Sequence, residues 1–195
     1  MSKIKFQWLQ LTEETNALDY LNQADYYIQL ANEKKIAWKW VILCLHGALY
    51  GFAVCAAQGT NPSRLIEVVK NGKNKGREKL FSFNKVLEKC QDPNWMLITG
   101  ISKYLQLTDS QKKSIRRLKD VFRNNFEHYI PTSWYIELHE FPLITIDVLK
   151  VIKFLALEAG NYTHLTKTQK RRIKSVVYQC TRQLKSSILY KEIKK

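Results

Sequence analysis

The feature that most constrains this chain is an uncharged apolar run of eighteen residues, 40–57. Eighteen residues is about the minimum length for a helix that crosses a bilayer. The run contains His46, Gly47 and Gly51, however, and no second run of this kind follows it. A helix that is apolar on all sides is also what the centre of a helical bundle requires. We therefore predict a buried helix over about residues 36–57, with His46 as a core or interface residue, and a membrane helix is the alternative.

Helix signals also occur before and after this run. Thr12 followed by Glu13 and Glu14 is typical of a helix N-terminus. The 195 residues include only seven Gly and four Pro, which favours helices over a β architecture. Further helices are predicted over residues 83–90, from the capping box at 108–111 to the residue before Pro131, over 143–159 and over 166–193. The chain is thus predicted to be an all-α bundle of about five helices, with a short strand at 134–138.

The charge of the chain is concentrated at its C-terminal end. Thirty-two Lys and Arg against 17 Asp and Glu leave a net charge of +15. Residues 161–195 hold ten Lys or Arg and one Glu, and so contribute +9. We predict a helical bundle over residues 1–160 and a basic C-terminal helix over 161–195 that packs on it or extends it.

A basic surplus of this size attracts polyanions, because each neutralised phosphate releases condensed counterions. RNA is the first partner class that this predicts, and an anionic membrane surface is the second. A solvated basic surface without a partner is the alternative. Candidate phosphate contacts lie in the glycine-punctuated loop 70–79 and in the C-terminal helix: Lys73, Lys75, Arg77, Lys170, Arg171, Arg172 and Lys174.

The remaining chemistry-bearing residues predict no metal site and no cofactor. The four cysteines form no C-x-x-C pair and have no histidine at zinc-finger spacing, so they are interpreted as buried thiols of a reducing, cytoplasmic protein. No signal peptide is recognised at the N-terminus. The loop 70–79 lacks the order of a nucleotide-binding P-loop. The pattern favours core positions over base stacking for Trp38, Trp40, Trp95 and Trp134.

The segment Arg123-Asn124-Asn125-Phe126-Glu127-His128 carries the candidate chemistry. RNA cleavage without a metal needs proton transfer and a cation that neutralises the charge growing on the phosphate. His128 suits proton transfer, Arg123 suits contact with phosphate oxygens, and Asn124 can orient a phosphate or ribose oxygen. In the alternative interpretation, Arg123 pairs with Glu127 at i,i+4 spacing and His128 caps the helix. Residues five apart on an α-helix point about 140° from each other. The side chains of Arg123 and His128 therefore do not meet within one chain.

This order of residues resembles the R-x(4–6)-H motif of the HEPN superfamily, small helical bundles found in bacterial toxin–antitoxin and phage-defence systems. The resemblance implies a HEPN-like bundle and a metal-independent endoribonuclease, with Arg123, Asn124 and His128 at a cleft between two copies of the chain. It also implies a cytoplasmic homodimer that acts on RNA and is controlled by an antitoxin or sensor protein. Many such toxins carry a tyrosine two residues after the histidine. This chain has Ile130 there, which argues against control by tyrosine adenylylation.

Two interpretations from other classes stay open. Some HEPN domains only bind RNA or dimerise, so the chain is alternatively a non-catalytic adaptor for RNA or protein. The basic C-terminal helix beside the apolar run would also suit a protein that lies on a membrane surface without stable insertion.

Overall fold

The computed structural model describes residues 7–70, 72–128, 133–161 and 165–193. Most of these residues are helical and surround one hydrophobic core, so the all-α prediction is confirmed. The α-helices in chain order are α1 (Glu13–Leu30), α2 (Ala37–Gln58), α3 (Phe83–Gln91), α4 (Pro93–Met96), α5 (Asp109–Arg116), α6 (Asn124–Glu127), α7 (Phe141–Leu157), α8 (Lys167–Ser186) and α9 (Ile188–Ile193). A 3-10 turn spans Pro62–Leu65, and a π-helical stretch, the π segment, spans Arg117–Arg123 and joins α5 to α6.

Helix α2 lies at the centre of the bundle, as the apolar run predicts. It contacts α1, α3, α7 and the π segment. By length and composition it could cross a membrane, but 67% of its most apolar 18-residue window is buried inside the protein. The helix ends at Gly59, whose φ of 59° lies in the left-handed region that favours glycine. The apolar residues of α2 are therefore accounted for by the other helices of the bundle.

Predicted helix starts agree with the structure wherever a capping box specifies them. Thr12, Thr108 and Thr166 each accept a hydrogen bond from the backbone N–H three residues later, and each helix begins at the next residue. The described residues contain more helical segments than the predicted five, for three reasons. The short helix α4 was not predicted. The π segment divides the third long helix, and Ser187 splits the last one, which was predicted to run unbroken over 166–193. At Ser187 the backbone is extended (ψ 151°), and its hydroxyl donates to the Leu184 carbonyl.

The strands differ from the prediction. An antiparallel hairpin pairs β1 (Ile66–Val68) with β2 (Glu78–Leu80), in the register Ile66 to Leu80. The last two residues of the basic segment 70–79 belong to β2, and its residues 72–77 lie in the connection between the strands. Strands of three residues are too short for a sequence pattern to reveal. The predicted strand at 134–138 is wrong: described residues 133–138 form no strand. Its alternation reflects packing instead, because Trp134 lies against Phe122 and Phe126.

Helix α8 packs on α1 and α7, and α9 follows it against α7. The side chains of α8 that face the bundle are apolar, and its charged side chains face solvent. The predicted boundary between a domain of residues 1–160 and a tail of 161–195 stays a prediction.

The contact between α1 and α2 requires a glycine at position 51. A Cβ atom on Gly51 would lie 2.7 Å from the Cβ of Ala17 and 3.3 Å from its Cα. Both of these atoms are rigidly held by α1, so the helices would have to move apart. The small residue at this position therefore sets how closely α1 approaches α2.

We expect Gly51→Ala to destabilise the protein by about 1–3 kcal/mol, because it over-packs a filled helix interface. The measurement is the free energy of unfolding from urea titration monitored by circular dichroism. Gly100→Ala is the matched control, since a Cβ there meets no atom within 4 Å. Equal stability of the two variants would contradict the close approach of α1 and α2.

Candidate functional site

The π segment leads directly to the predicted catalytic residues. The helical backbone runs from α5 through Arg117–Arg123 into α6 and ends at His128, where φ is −122° and ψ is 53°. A π-helical turn inserts an extra residue, so it rotates the following side chains relative to an α-helix, and such turns are frequent at functional sites. Arg123 is the last residue of the π segment and Asn124 is the first of α6. The sequence contains no signal that predicts the π segment.

Arg123 is held by two side chains of its own helix. Its Nη1 donates to Oδ1 of Asn124 at 3.1 Å, and its Nη2 lies 2.6 Å from Oε2 of Glu127. Its Nε is buried and has no hydrogen-bond partner within the described residues. The side chain of Arg123 is 29% exposed. The structure thus contains the Arg123–Glu127 ion pair of the alternative interpretation. It also contains a hydrogen bond between Arg123 and Asn124, two of the three candidate catalytic residues.

His128 lies at the exposed end of the same helix. Its backbone N–H donates to the carbonyl of Asn124 at 2.8 Å. Within the described part of one chain, neither a hydrogen bond nor an ion pair joins its imidazole to Arg123. This agrees with ideal helix geometry, in which side chains five residues apart point about 140° from each other. Three residues that follow His128 lie outside the described residues: Tyr129, Ile130 and Pro131. Ile130 belongs to the comparison with the motif, and Pro131 to the predicted end of the helix.

A second histidine, His46 on α2, lies near this helix end and was not predicted to belong to the site. Burial, followed by the positive charges of Arg123 and Lys119, lowers the pKa of His46 from 6.5 to about 4. Its ring stacks on Phe83, with 4.9 Å between centroids. His46 is therefore neutral at pH 7, and the positive charge of Arg123 contributes to its lowered pKa. The sequence offers no signal for this proximity, which depends on how α2 packs against the π segment.

The predicted RNA-binding cations are exposed at two places. Lys73, Lys75 and Arg77 lie in the connection of the β-hairpin, and the other four lie on α8: Lys170, Arg171, Arg172 and Lys174. Arg172 also has a structural contact, because its Nε donates to Oδ1 of Asn22 in α1 at 2.9 Å.

A further group of cations was missed by the sequence analysis. Lys112, Lys113, Arg116, Arg117 and Val121 line an open cavity of about 560 Å³ beside α5 and the π segment. Arg117 forms an ion pair with Glu140, and Lys112 forms one with Asp109. Lys113 and Arg116 have no ion-pair partner among the described residues. The run K-K-S-I-R-R at 112–117 was the available signal, since i,i+4 spacing places its cations side by side.

The tryptophans do not all follow the predicted assignment to the core. Trp38 is 4% exposed, and Trp95 is half-buried and donates from Nε1 to the carbonyl of Ala57. Trp40 and Trp134, by contrast, are exposed. Apolar character alone does not distinguish a buried tryptophan from an exposed one, because one side of a helix can face the core while the next side faces solvent.

The other chemistry-bearing residues form no additional site in the described part of the chain. No group of three His, Cys, Asp or Glu there could hold a metal ion. All four cysteines are buried, as predicted. His139 is exposed between Glu137 and Glu192, and His164 lies outside the described residues.

Comparisons with models of protein families, with curated proteins and with solved structures find no match to this chain. Function is therefore inferred from the chain's own residues, above all Arg123, Asn124 and His128.

Because the pKa of His46 is lower in the folded protein, the unfolded chain binds a proton first as the pH falls. We therefore expect His46 to destabilise the fold as the pH falls from 6.5 to about 4, with no further loss from this group at lower pH. His46→Gln should make the free energy of unfolding less dependent on pH in that window. His139→Gln, which replaces an exposed histidine, is the matched control and should follow the wild type. An unchanged pH dependence in His46→Gln would contradict a neutral, half-buried His46.

Proposed function

We propose that this protein is a metal-independent endoribonuclease of the HEPN type, with Arg123, Asn124 and His128 at its active site. The observation that supports this most is the hydrogen bond between Arg123 and Asn124 on the helix end that also exposes His128. A phosphate-binding cation, an orienting amide and a proton-transfer group are thus available on one short segment. The net charge of +15 favours a polyanionic substrate.

The reaction would use the ribose of the RNA as the nucleophile. The 2′-oxygen attacks the adjacent phosphorus while its proton passes to a base, and the negative charge on the resulting phosphorane is stabilised by Arg123. The bond from phosphorus to the 5′-oxygen then breaks, and that oxygen takes up a proton. The products are a 2′,3′-cyclic phosphate and a 5′-hydroxyl. His128 transfers the proton, and Asn124 orients a phosphate or ribose oxygen.

Substrate binding would require Arg123 to exchange partners. The carboxylate of Glu127 occupies Nη2 of Arg123, and a phosphate oxygen would replace it there. Asn124 can keep its hydrogen bond to Nη1 during this exchange. Glu127 would then hold the guanidinium in position until RNA arrives.

The separation of Arg123 and His128 on one helix is the reason to propose a homodimer. On a helix, side chains five residues apart point about 140° from each other, but a two-fold axis beside the helix end would bring Arg123 of one protomer toward His128 of its partner. We propose that this composite cleft is cytoplasmic and is controlled by an antitoxin or sensor protein.

A second candidate function is a non-catalytic adaptor that binds RNA or protein. The Arg123–Glu127 ion pair favours it, because a salt bridge at i,i+4 spacing stabilises a helix end without any catalytic role. The two candidates share their basic surfaces and differ in whether RNA is cut.

We expect Arg123→Ala and His128→Ala each to abolish RNA cleavage, since one removes phosphorane stabilisation and the other removes proton transfer. Asn124→Ala should reduce turnover less, because an orienting amide is easier to replace. Cleavage is measured on labelled RNA by gel electrophoresis and should persist in EDTA. His139→Ala, which removes an exposed histidine outside the site, is the matched control.

Folding of each variant is checked by circular dichroism, and His128→Ala should change the stability by no more than about 0.5 kcal/mol because the side chain is exposed. Glu127→Gln removes the competing carboxylate and should strengthen RNA binding. If wild-type protein binds RNA without cutting it, the adaptor function replaces the enzyme.

The cations of α8 should contribute to RNA binding by neutralising phosphates. Replacing Lys170, Arg171 and Lys174 by Gln should reduce the slope of log affinity against log salt by about 0.7–0.9 for each phosphate that is no longer neutralised. Arg172 is left unchanged because it bonds Asn22. The control replaces three lysines that are already ion-paired, Lys89, Lys150 and Lys153, and so removes the same charge. Equal slopes for both triple variants would place the α8 cations outside the RNA-binding surface.

A further inference from the structure

Three aromatic side chains form a stacked, solvent-facing cluster where α1 turns into α2. We call Tyr26, Tyr27 and Trp40 the aromatic platform. The rings of Tyr27 and Trp40 stack with centroids 5.9 Å apart and planes 24° apart. Tyr26 meets Tyr27 edge to face, at 5.2 Å and 73°. The three rings thus form one continuous surface across the two helices.

The platform is not part of the hydrophobic core. Tyr26 is 58% exposed and Trp40 is 44% exposed, and Tyr27 is the partly buried ring that anchors the cluster. Trp38, two residues before Trp40, is by contrast buried and stacks on Phe141. Folding therefore explains the position of Trp38 and leaves the exposed rings of Tyr26 and Trp40 available to a ligand.

Three lysines lie in the turn between α1 and α2 and at the start of α2, close in sequence to the platform residues. Nζ of Lys39 lies 5.3 Å from the centroid of the Trp40 ring, and Lys34 and Lys35 are exposed on the turn between the helices. Glu33 is the single acidic residue from position 26 to position 57. Exposed rings beside cations are the combination by which proteins bind single-stranded nucleic acid, with bases stacked on the rings and phosphates at the cations.

We propose that the aromatic platform binds unpaired bases of single-stranded RNA, while Lys34, Lys35 and Lys39 contact its phosphates. The choice of RNA as the ligand rests on the proposed function. The proposal specifies single-stranded RNA as the substrate class. A duplex is excluded because its base faces are already stacked on one another, whereas unpaired bases present a free face.

Helix α2 connects the platform to the surroundings of the candidate site. Along α2, His46 follows Trp40 by six positions, a rise of about 9 Å along the helix axis. His46 in turn lies within the electrostatic influence of Arg123 and Lys119. Helix α2 thus carries both a ring of the platform and a residue near Arg123.

The test measures the affinity of the full-length protein for a fluorescently labelled RNA decamer whose 2′-hydroxyls are all methylated. Such RNA lacks the nucleophile and cannot be cleaved, so binding is measured apart from catalysis. We expect Trp40→Ala and Tyr26→Ala each to weaken single-strand binding about tenfold, as typical for loss of one stacking ring. Trp40→Phe keeps a ring and should restore most of the affinity. Binding of a methylated duplex of the same length should be unchanged in all variants.

Trp8→Ala is the matched control, because Trp8 is 90% exposed and makes no ring contact in the described part of the chain. Wild-type affinity of Trp40→Ala and Tyr26→Ala for the single strand would overturn the proposal. So would a loss of binding to anionic vesicles with no loss of RNA binding, which would make the platform a membrane contact. If the platform variants lose single-strand binding but wild-type protein never cuts unmethylated RNA, the platform stands and the ribonuclease proposal fails.

Discussion

The close packing of α1 against α2 is the constraint on which the other features of this protein depend. Helix α2 is apolar on nearly all sides, and burying it requires neighbours around its circumference. Gly51 lets α1 approach until a Cβ at this position would collide with Ala17. Helices α3 and α7 and the π segment cover the other faces of α2. The hydrophobic effect drives this burial, and the glycine determines how close the nearest helix can come.

The same packing connects the two surfaces for which functions are proposed. One stripe of α2 faces α1 and carries Trp40, which completes the aromatic platform with Tyr26 and Tyr27. The next stripe carries His46, which faces the charges of Arg123 and Lys119. A movement of α1 relative to α2 would therefore disturb the platform, and a movement of the π segment would change the surroundings of His46. The residues that form these two surroundings lie on α2 or on segments that contact it.

The candidate active site shows how one set of residues supports two interpretations. Arg123 contacts Asn124, as an active site would require, and Glu127, as a helix-stabilising ion pair would require. The contact with Glu127 follows from helical spacing, because the position four residues later is a neighbour on the helix surface. Asn124 is the adjacent residue, and the contact with it is a specific feature of this helix end. The exchange of Glu127 for a phosphate distinguishes the two functions, and it depends on the affinity of RNA for the basic surface around the helix.

By itself the sequence determined the helical class, the central position of α2 and the helix starts at Thr12, Thr108 and Thr166, because hydrophobic periodicity and capping depend on residues close together in the chain. It also placed Arg123, Asn124 and His128 on one helix end. From helical spacing it also predicted that Glu127 can pair with Arg123 and that His128 points away from Arg123. Only the tertiary structure decided that Trp38 is buried but Trp40 is exposed, and that His46 lies near Arg123. These contacts depend on the packing of distant segments and on the extra residue of the π segment. Neither the packing of distant segments nor the extra residue is marked by a local sequence pattern. The surroundings of the site can therefore be recognised only in the folded protein.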